Sequence, residues 1–469
     1  MILHAEPATR ALSARRPGRK ATLAERIAPV AAPALLASAS LALFASSTAR
    51  APRLALLLHA GDEAASGRAF ALGWLDGFVL RIADALGGYA GAAALGAAAL
   101  FALAAFVYAR ASERAGVTLS LVAGGFALFT CCDAARVGGD AAAWLGAAAL
   151  LYALDRAPKR ALWVAPAIAV LWCNASAAGV LAPALALLVA LGRAADAGDA
   201  GAARRCWPVV SACALATLCT PALWAYPGQA FAALHFDPQF SRILPIAPAT
   251  AAPHAFRIAL TLVVIAAAWL WAGRRRLRDA PLVLAAFVLC FFDGAFLPLL
   301  GIVAGPAFAA AARAPAEPVP AMKRSETLAA WCAGALVACA ALFTLPHVPA
   351  RSVASESPLP LFAALSARGG EHLIYCAAPA YCDYAETLPG LRPFLDERVE
   401  AVSPATLQTQ EKIARVRAGW QRALREARID AMLVASTSAL AQLIPAVPGW
   451  KAAGSDGDAR LFVLEGGAR

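Results

Sequence analysis

Residues 139–160 read GDAAAWLGAAALLYALDRAPKR, and residues 161–193 continue ALWVAPAIAVLWCNASAAGVLAPALALLVALGR. Three apolar runs lie here, near 139–154, 161–174 and 176–192, and the gaps around them differ in kind. The gap at 155–160 carries Arg156, Lys159 and Arg160, and the one at 193–205 carries Arg193, Arg204 and Arg205. The gap around Asn174 carries no charge. Basic gaps alternating with nearly uncharged ones are the mark of the positive-inside rule, which holds Lys and Arg on the cytoplasmic side of a chain that crosses a membrane repeatedly.

The same alternation extends in both directions. The gaps at 1–26, 110–114, 155–160, 193–205, 274–278 and 313–324 hold 21 Lys and Arg, whereas those starting near Arg50, Asp133, Asn174, Tyr226 and Phe292 hold about six. The first set is therefore assigned to the cytoplasm and the second to the outer side. A span needs about 20 apolar residues, fewer when neighbours shield it. Spans are expected near 28–48, 88–109, 116–131, 139–154, 161–174, 176–192, 207–226, 255–273, 280–293, 297–312 and 327–346. Several are short and Ala-rich, which suits tight helix packing through small residues. The expected fold is an all-α polytopic membrane bundle of about eleven transmembrane helices with a small C-terminal α/β domain. Residues 1–27 form a basic cytoplasmic segment, 28–346 the membrane domain, and 347–469 an extracytoplasmic domain, periplasmic if the host is Gram-negative. The first span is read as a retained anchor. The rival reading is a signal peptide, since small residues at 45–50 follow a basic start and an apolar core.

Composition agrees with a membrane protein. Hydrophobic residues make up 61% and charged residues 15% of the chain, and mean hydropathy is +0.64, outside the usual range of soluble domains. A net charge of +11 would point to nucleic acid in a soluble protein. Here cytoplasmic loops facing anionic lipid explain it, so no nucleic-acid partner is expected. Most of the eleven cysteines lie in or beside apolar runs without CxxC or Cys/His spacing, which argues against a zinc or redox site. No cofactor is assigned. A divalent metal is compatible with the chemistry below, but no ligand spacing asks for one.

Two outer gaps are long. The first, 50–87, contains His59, Asp62, Glu63, Arg68, Trp74, Asp76, Arg81 and Asp84. From Glu63 onward Phe70, Leu72, Trp74, Leu75, Phe78, Val79 and Ile82 alternate with charges like an amphipathic helix lying in the membrane interface. The second, 227–253, contains His235, Asp237 and Arg242, and its prolines oppose a long helix. Shorter outer gaps add Arg136 and Asn174. Polar groups gathered at the outer mouth of a bundle mark a functional site there.

Order, spacing and local words together resemble the bacterial integral-membrane glycosyltransferases of the C-type superfold (relatives of protein O-mannosyltransferases), in a branch with a C-terminal soluble domain. The words are Gly67-Arg68 followed by Trp74-Leu75, Arg136 after the third span, and Leu171-Trp172-Cys173-Asn174, similar to Leu-Trp-x-Asn. Thr217-Leu218-Cys219-Thr220-Pro221 is similar to Thr-Leu-x-Asn-Pro, and Asp396-Glu397-Arg398, Trp450 and Asp456 follow in the C-terminal domain. The resemblance implies a sugar donor carried on polyprenyl phosphate, entering sideways from the outer leaflet. It also implies a first-loop carboxylate acting as base on the acceptor hydroxyl and cations holding the leaving phosphate.

The chain departs from the branch's Asp-x-Trp-Trp-His-Leu-x-x-Gly-Arg in that first loop. Counting back from Gly67-Arg68, the Asp position falls on His59 and the His position on Glu63, and both tryptophans are missing. The His that often follows Leu-Trp-x-Asn-x is Ser176 here. Either Asp62 or Glu63 has taken over as base, or the chemistry has been lost. The candidate catalytic residues are thus Asp62 and Glu63. The candidate substrate-binding residues are His59, Arg68, Arg136, Asn174 and Arg242, with the polyprenyl-phosphate-linked sugar and membrane lipid as partners. The competing functions are a non-catalytic relative assisting envelope polysaccharide assembly and a transporter or flippase. The last should show internal repeats, and none is convincing.

In the C-terminal domain, 372–376, 429–435 and 460–464 read as strands, 407–427 as one amphipathic helix and 436–446 as another. Cys376 and Cys382 are its only cysteines. A disulfide, expected only in an oxidising compartment, and a pair of free buried thiols both remain open.

Overall fold

The computed structural model describes residues 31–40, 60, 64, 72–131, 141–156, 160–234, 257, 260–265, 267–268, 277–312, 359–377, 382, 385, 388–395, 403–457 and 459–465. The chain is mostly helical with a small C-terminal sheet. Ten helices bounded within the described residues up to residue 312 are α1 (Ala31–Ser40), α2 (Trp74–Ser112), α3 (Val117–Thr130), α4 (Ala141–Arg156), α5 (Ala161–Ala175), α6 (Ala182–Ala197), α7 (Ala200–Ala216), α8 (Tyr226–Ala233), α9 (Ala280–Phe292) and α10 (Leu297–Ala312).

Among the described residues three helical segments are long and apolar enough to cross a membrane: Gly91–Ser112, Ala177–Ala197 and Gly294–Ala312. Ala31–Ser40, Val117–Thr130, Ala161–Ala175 and Ala280–Phe292 are apolar but shorter. Among the described residues three full-length candidate spans thus stand where eleven are expected in the whole chain. The expected span at 327–346 lies outside the described residues. The expected span at 207–226 is displaced: α7 starts at Ala200, where the Asp199 side chain caps Gly201 N–H, and ends at Ala216. Arg204 and Arg205 therefore belong to its first turns rather than to a loop.

Small residues let the helices touch backbone to backbone, as they do in lipid, where no hydrophobic effect drives association. Helices α3 and α10 pack along each other. A Cβ at Gly301 would collide with the Thr130 side chain, and one at Gly305 would stand 2.9 Å from the Ala123 carbonyl oxygen. Pairing 130 with 301 and 123 with 305 makes the two helices antiparallel. Large apolar side chains face outward, including Trp163 (78% exposed), Trp224 (82%) and Leu215 (66%). In water such a surface would drive association; in a bilayer it is the contact with lipid.

Helix α2 is two helices joined at Gly88, whose φ of 57° and ψ of −150° lie outside the helical region. This is backbone space that only glycine enters without strain. The turn is so tight that a Cβ at Gly91 would collide with the Ala83 carbonyl oxygen. The segment before the break, 74–87, exposes Val79, Ile82 and Leu86. These stand three and four residues apart, one stripe along a helix, and an Arg81–Asp84 ion pair at 3.4 Å lies between them. Of the amphipathic stretch expected from Glu63 onward, a helix is present from Trp74, distinct from the long apolar helix that follows, and residues 65–71 lie outside the described residues.

The C-terminal domain holds β1 (His372–Cys376), β2 (Leu391–Pro393), β3 (Ala431–Ala435), β4 (Trp450–Asp456) and β5 (Ala459–Leu464). The sheet order is β2-β1-β3-β5-β4. Strand β1 runs parallel to β2 and β3, whereas β5 is antiparallel to both β3 and β4. Helix α11 (Leu359–Ser366) packs its Phe362 and Leu365 with Ile374 and Leu433 on one face. Helices α12 (Pro404–Ala414), α13 (Trp420–Glu426) and α14 (Ala439–Leu443) place Ile413, Leu424 and Leu440 against Tyr375 and Met432 on the other. The result is a three-layer α/β unit. The single helix expected over 407–427 is two, because Val416 (φ 50°) and Gly419 (φ 81°) adopt left-handed backbone between them. Cys376 and Cys382 form a buried disulfide with Cα atoms 5.7 Å apart.

Candidate functional site

The two sets of gaps converge at two separate places. At the first, residues from four basic gaps build a network of ion pairs. Arg110 near the end of α2 donates to Asp155 Oδ2 at 2.6 Å and to Asp279 Oδ1 at 3.1 Å. Arg114 donates to the same two carboxylates at 2.7 and 2.6 Å. Arg278 donates to Asp155 Oδ1 at 2.6 Å, and Arg193 stands 3.8 Å from that oxygen. Gly192 makes room for this approach, since a Cβ there would collide with the Arg278 carbonyl oxygen. Four arginines against two aspartates leave net positive charge at this end. The planar guanidinium, with its donors in a fixed fork, addresses two carboxylates at once here.

At the second place the outer gaps meet. Trp74 Nε1–H donates to Asn174 Oδ1 at 2.8 Å, and Asn174 Nδ2 donates to the carbonyls of Val170 at 2.8 Å and Cys219 at 2.9 Å. Because an indole can only donate, the amide orientation is fixed by its partners. Gly73, at φ 78°, starts α2 with its Cβ position 3.3 Å from the Ala175 carbonyl oxygen, so any larger residue would push this junction apart. Tyr226, fully buried, donates its hydroxyl to the Ser176 carbonyl at 3.1 Å. The Ser176 hydroxyl accepts from Ala178 N–H and so caps the short 3₁₀ turn Ala177–Leu181. Three of the words behind the resemblance, at 74–75, 171–174 and 217–221, are thereby brought into contact.

Two polar groups of these words have no hydrogen-bond partner among the described residues: Trp172 Nε1 and Thr220 Oγ1, both buried. The Trp172 ring lies against Gly146, where a Cβ would overlap it. Buried polar atoms are nearly always satisfied, so these two offer hydrogen bonds that no described residue takes up.

Of the residues expected at the site, Asn174 is the one described. Its amide makes three of its four hydrogen bonds to protein. His59, Asp62, Glu63, Arg68, Arg136 and Arg242 lie outside the described residues. No group of three His, Cys, Asp or Glu that could hold a metal occurs among the described residues. The sequence reading missed the ion network, although Asp155-Arg156 and Arg278-Asp279 announce it: an acid inside a basic gap is a candidate partner for the arginines of neighbouring gaps. The chain matches no protein-family model and no curated protein.

Proposed function

We propose that this chain is an integral-membrane glycosyltransferase that moves a sugar from a polyprenyl-phosphate donor to an envelope acceptor on the outer side of the cytoplasmic membrane. The observation that carries the reading is the helix 74–87. It exposes an apolar stripe, breaks from the following span at Gly88, and is tied through Trp74 to Asn174. A lipid-linked substrate needs such an apolar, interface-lying approach beside a polar junction. In this reading Asp62 or Glu63 deprotonates the acceptor hydroxyl, Arg68, Arg136 and Arg242 hold the departing phosphate, and His59 lies in the same loop. The basic gaps face the cytoplasm and the C-terminal domain lies outside. Its disulfide supports that placement, since such bonds persist in oxidising compartments.

The test is transfer of radiolabelled sugar from polyprenyl-phosphate donors in membranes carrying the protein. Removing a general base costs about 10²–10⁴-fold in rate, so Asp62→Asn or Glu63→Gln should abolish most turnover. Unchanged turnover in the double variant sinks the mechanism. A second reading, a non-catalytic factor assisting envelope polysaccharide assembly, draws support from Asn174 and Ser176, whose polar side-chain atoms serve the fold rather than a ligand. Under it no donor sugar is released by the wild type.

A further inference from the structure

The C-terminal domain has a cavity of about 670 Å³ at the edge of its sheet where β1 and β3 begin, within the roughly 300–1,000 Å³ of small-ligand pockets. Three arginines reach it from two sides. Arg392 comes from β2, and Arg425 and Arg428 from the end of α13. None of the three has an ion-pair partner among the described residues, and the acids that line the cavity with them are Glu371 and Asp430. A cation at a helix C-terminus is ordinary, because it offsets the helix dipole. That account covers Arg425 and Arg428 but not Arg392 on the opposite wall.

Arg428 occupies an unusual backbone position. Its N–H bonds the Arg425 carbonyl at 3.0 Å, and Ile429 N–H bonds the Leu424 carbonyl at 3.1 Å. This double closure of a helix end places one residue in the left-handed region, usually glycine or asparagine. Here the residue is Arg428, at φ 55°. The fold accepts strain at this point and keeps a cation at the cavity mouth.

Deeper in, His372 Nδ1 lies 3.3 Å from Asp430 Oδ2, with the two side chains 11% and 15% exposed. Asp430 is fixed from both sides, its N–H on the Leu373 carbonyl and its carbonyl on Leu464 N–H. The second polar atom of each side chain, His372 Nε2 and Asp430 Oδ1, is buried without a partner among the described residues. Trp450 and Leu424 add apolar wall.

We propose that this cavity binds a hydroxylated anion of the sugar-acid or sugar-phosphate type. The arginines supply charge-assisted donors for one carboxylate or phosphate. Asp430, which can only accept when ionised, is complementary to a ligand hydroxyl, and the apolar wall to the C–H face of a sugar ring. Glu371 limits the net positive charge and so disfavours polyanions. This inference does not depend on glycosyl transfer or on which side of the membrane the domain lies.

Titration calorimetry on the full chain in lipid nanodiscs tests it, with glucuronate, glucose 1-phosphate, glucose and inorganic phosphate as probes. Glucuronate or glucose 1-phosphate is expected to bind at least tenfold more tightly than glucose and than inorganic phosphate. Arg425→Gln with Arg428→Gln, both exposed, should weaken that binding at least tenfold without moving the thermal midpoint. Arg428→Gly should weaken binding while raising the midpoint, because glycine relieves the backbone. Asp430→Asn should bring the sugar phosphate down towards inorganic phosphate. Failure of both acidic sugars to bind below about 10 mM, or binding indifferent to the arginine variants, overturns the proposal. Equal affinity for glucose 1-phosphate and inorganic phosphate overturns its hydroxyl half.

Discussion

Arg110 and Asp155 meet at 2.6 Å with side chains only 2% and 3% exposed, although 45 residues separate them in the chain. Their pairing joins the ends of α2 and α4, and Asp279 at the start of α9 closes the circuit through Arg114. The residues of the basic gaps are also the clamp that gathers those helix ends. Charges this deeply buried interact far more strongly than loop charges in water, and they tolerate loss of a partner badly.

Asp155→Ala should therefore be severe. It removes the carboxylate shared by Arg110, Arg114 and Arg278 and leaves buried arginines facing one another. Breaking a buried pair in this way costs about 3–5 kcal/mol. The control is Arg205→Ala, whose bond to Asp199 is exposed on both sides and should cost at most about 1 kcal/mol. Thermal unfolding of the detergent-purified chain compares the two. Equal midpoints would show the network to be ornamental.

Gly91→Ala tests the break in α2. The added methyl would meet the Ala83 carbonyl oxygen, a backbone atom that cannot swing aside, so a loss of about 1–3 kcal/mol is expected as for other overpacking changes. Gly125→Ala in α3 enters open space and should gain up to about 1 kcal/mol from helix propensity. The opposite order of midpoints would mean that 74–87 and 91–112 do not fold back as described.

These contrasts mark what the sequence could convey. The apolar runs of α3, α5, α9 and α10 end within a few residues of the expected places, because such continuously apolar segments have no polar interruptions to confuse their ends. The end of α7 was misplaced because Thr217-Leu218-Cys219 is apolar enough to continue a helix. It turns instead so that the Cys219 carbonyl can meet Asn174, a distant partner that no local pattern encodes. Strands β2 and β4 were missed because both are edge strands. β2 has three residues, and β4 has one large apolar residue, Trp450, with a register shift near Gly454. Central strands β1 and β3 carry continuous apolar runs and were legible. Asn174 is singled out by its word in the sequence, but its bonds to Trp74, Val170 and Cys219 join distant segments that no local pattern links.

Asp430 gives a pH signature. Burial raises its carboxyl above the ordinary value of 3.8, with His372 beside it pulling the other way. A raised folded value means that stability is fully present below the unfolded value and is lost as pH rises through the folded one. Asp430→Asn does not titrate, so its midpoint relative to wild type should climb as pH rises from about 4 towards neutrality. A relative midpoint that falls over that range would reverse the sign and remove the case for a buried, under-partnered carboxylate at the cavity.

The last prediction concerns sidedness, because it groups every residue of the proposed site. If the basic gaps face the cytoplasm, the odd number of expected spans leaves the chain outside after Pro346. The buried Cys376–Cys382 disulfide is what an oxidising compartment would preserve. Fusions after Pro346 should then silence a reporter that folds only in the cytoplasm and activate one that needs oxidation. Cysteine labelling of intact cells gives an independent reading: the 376–382 pair should react with a membrane-impermeant maleimide only after reduction. The six-residue separation closes a short loop, so its loss should cost only a few kcal/mol, and Cys376→Ser with Cys382→Ser should leave the domain folded as a labelling control. A cytoplasmic reporter active after Pro346 would invert the topology. It would put the Trp74–Asn174–Cys219 junction on the cytoplasmic side and end the case for an outer-leaflet sugar donor.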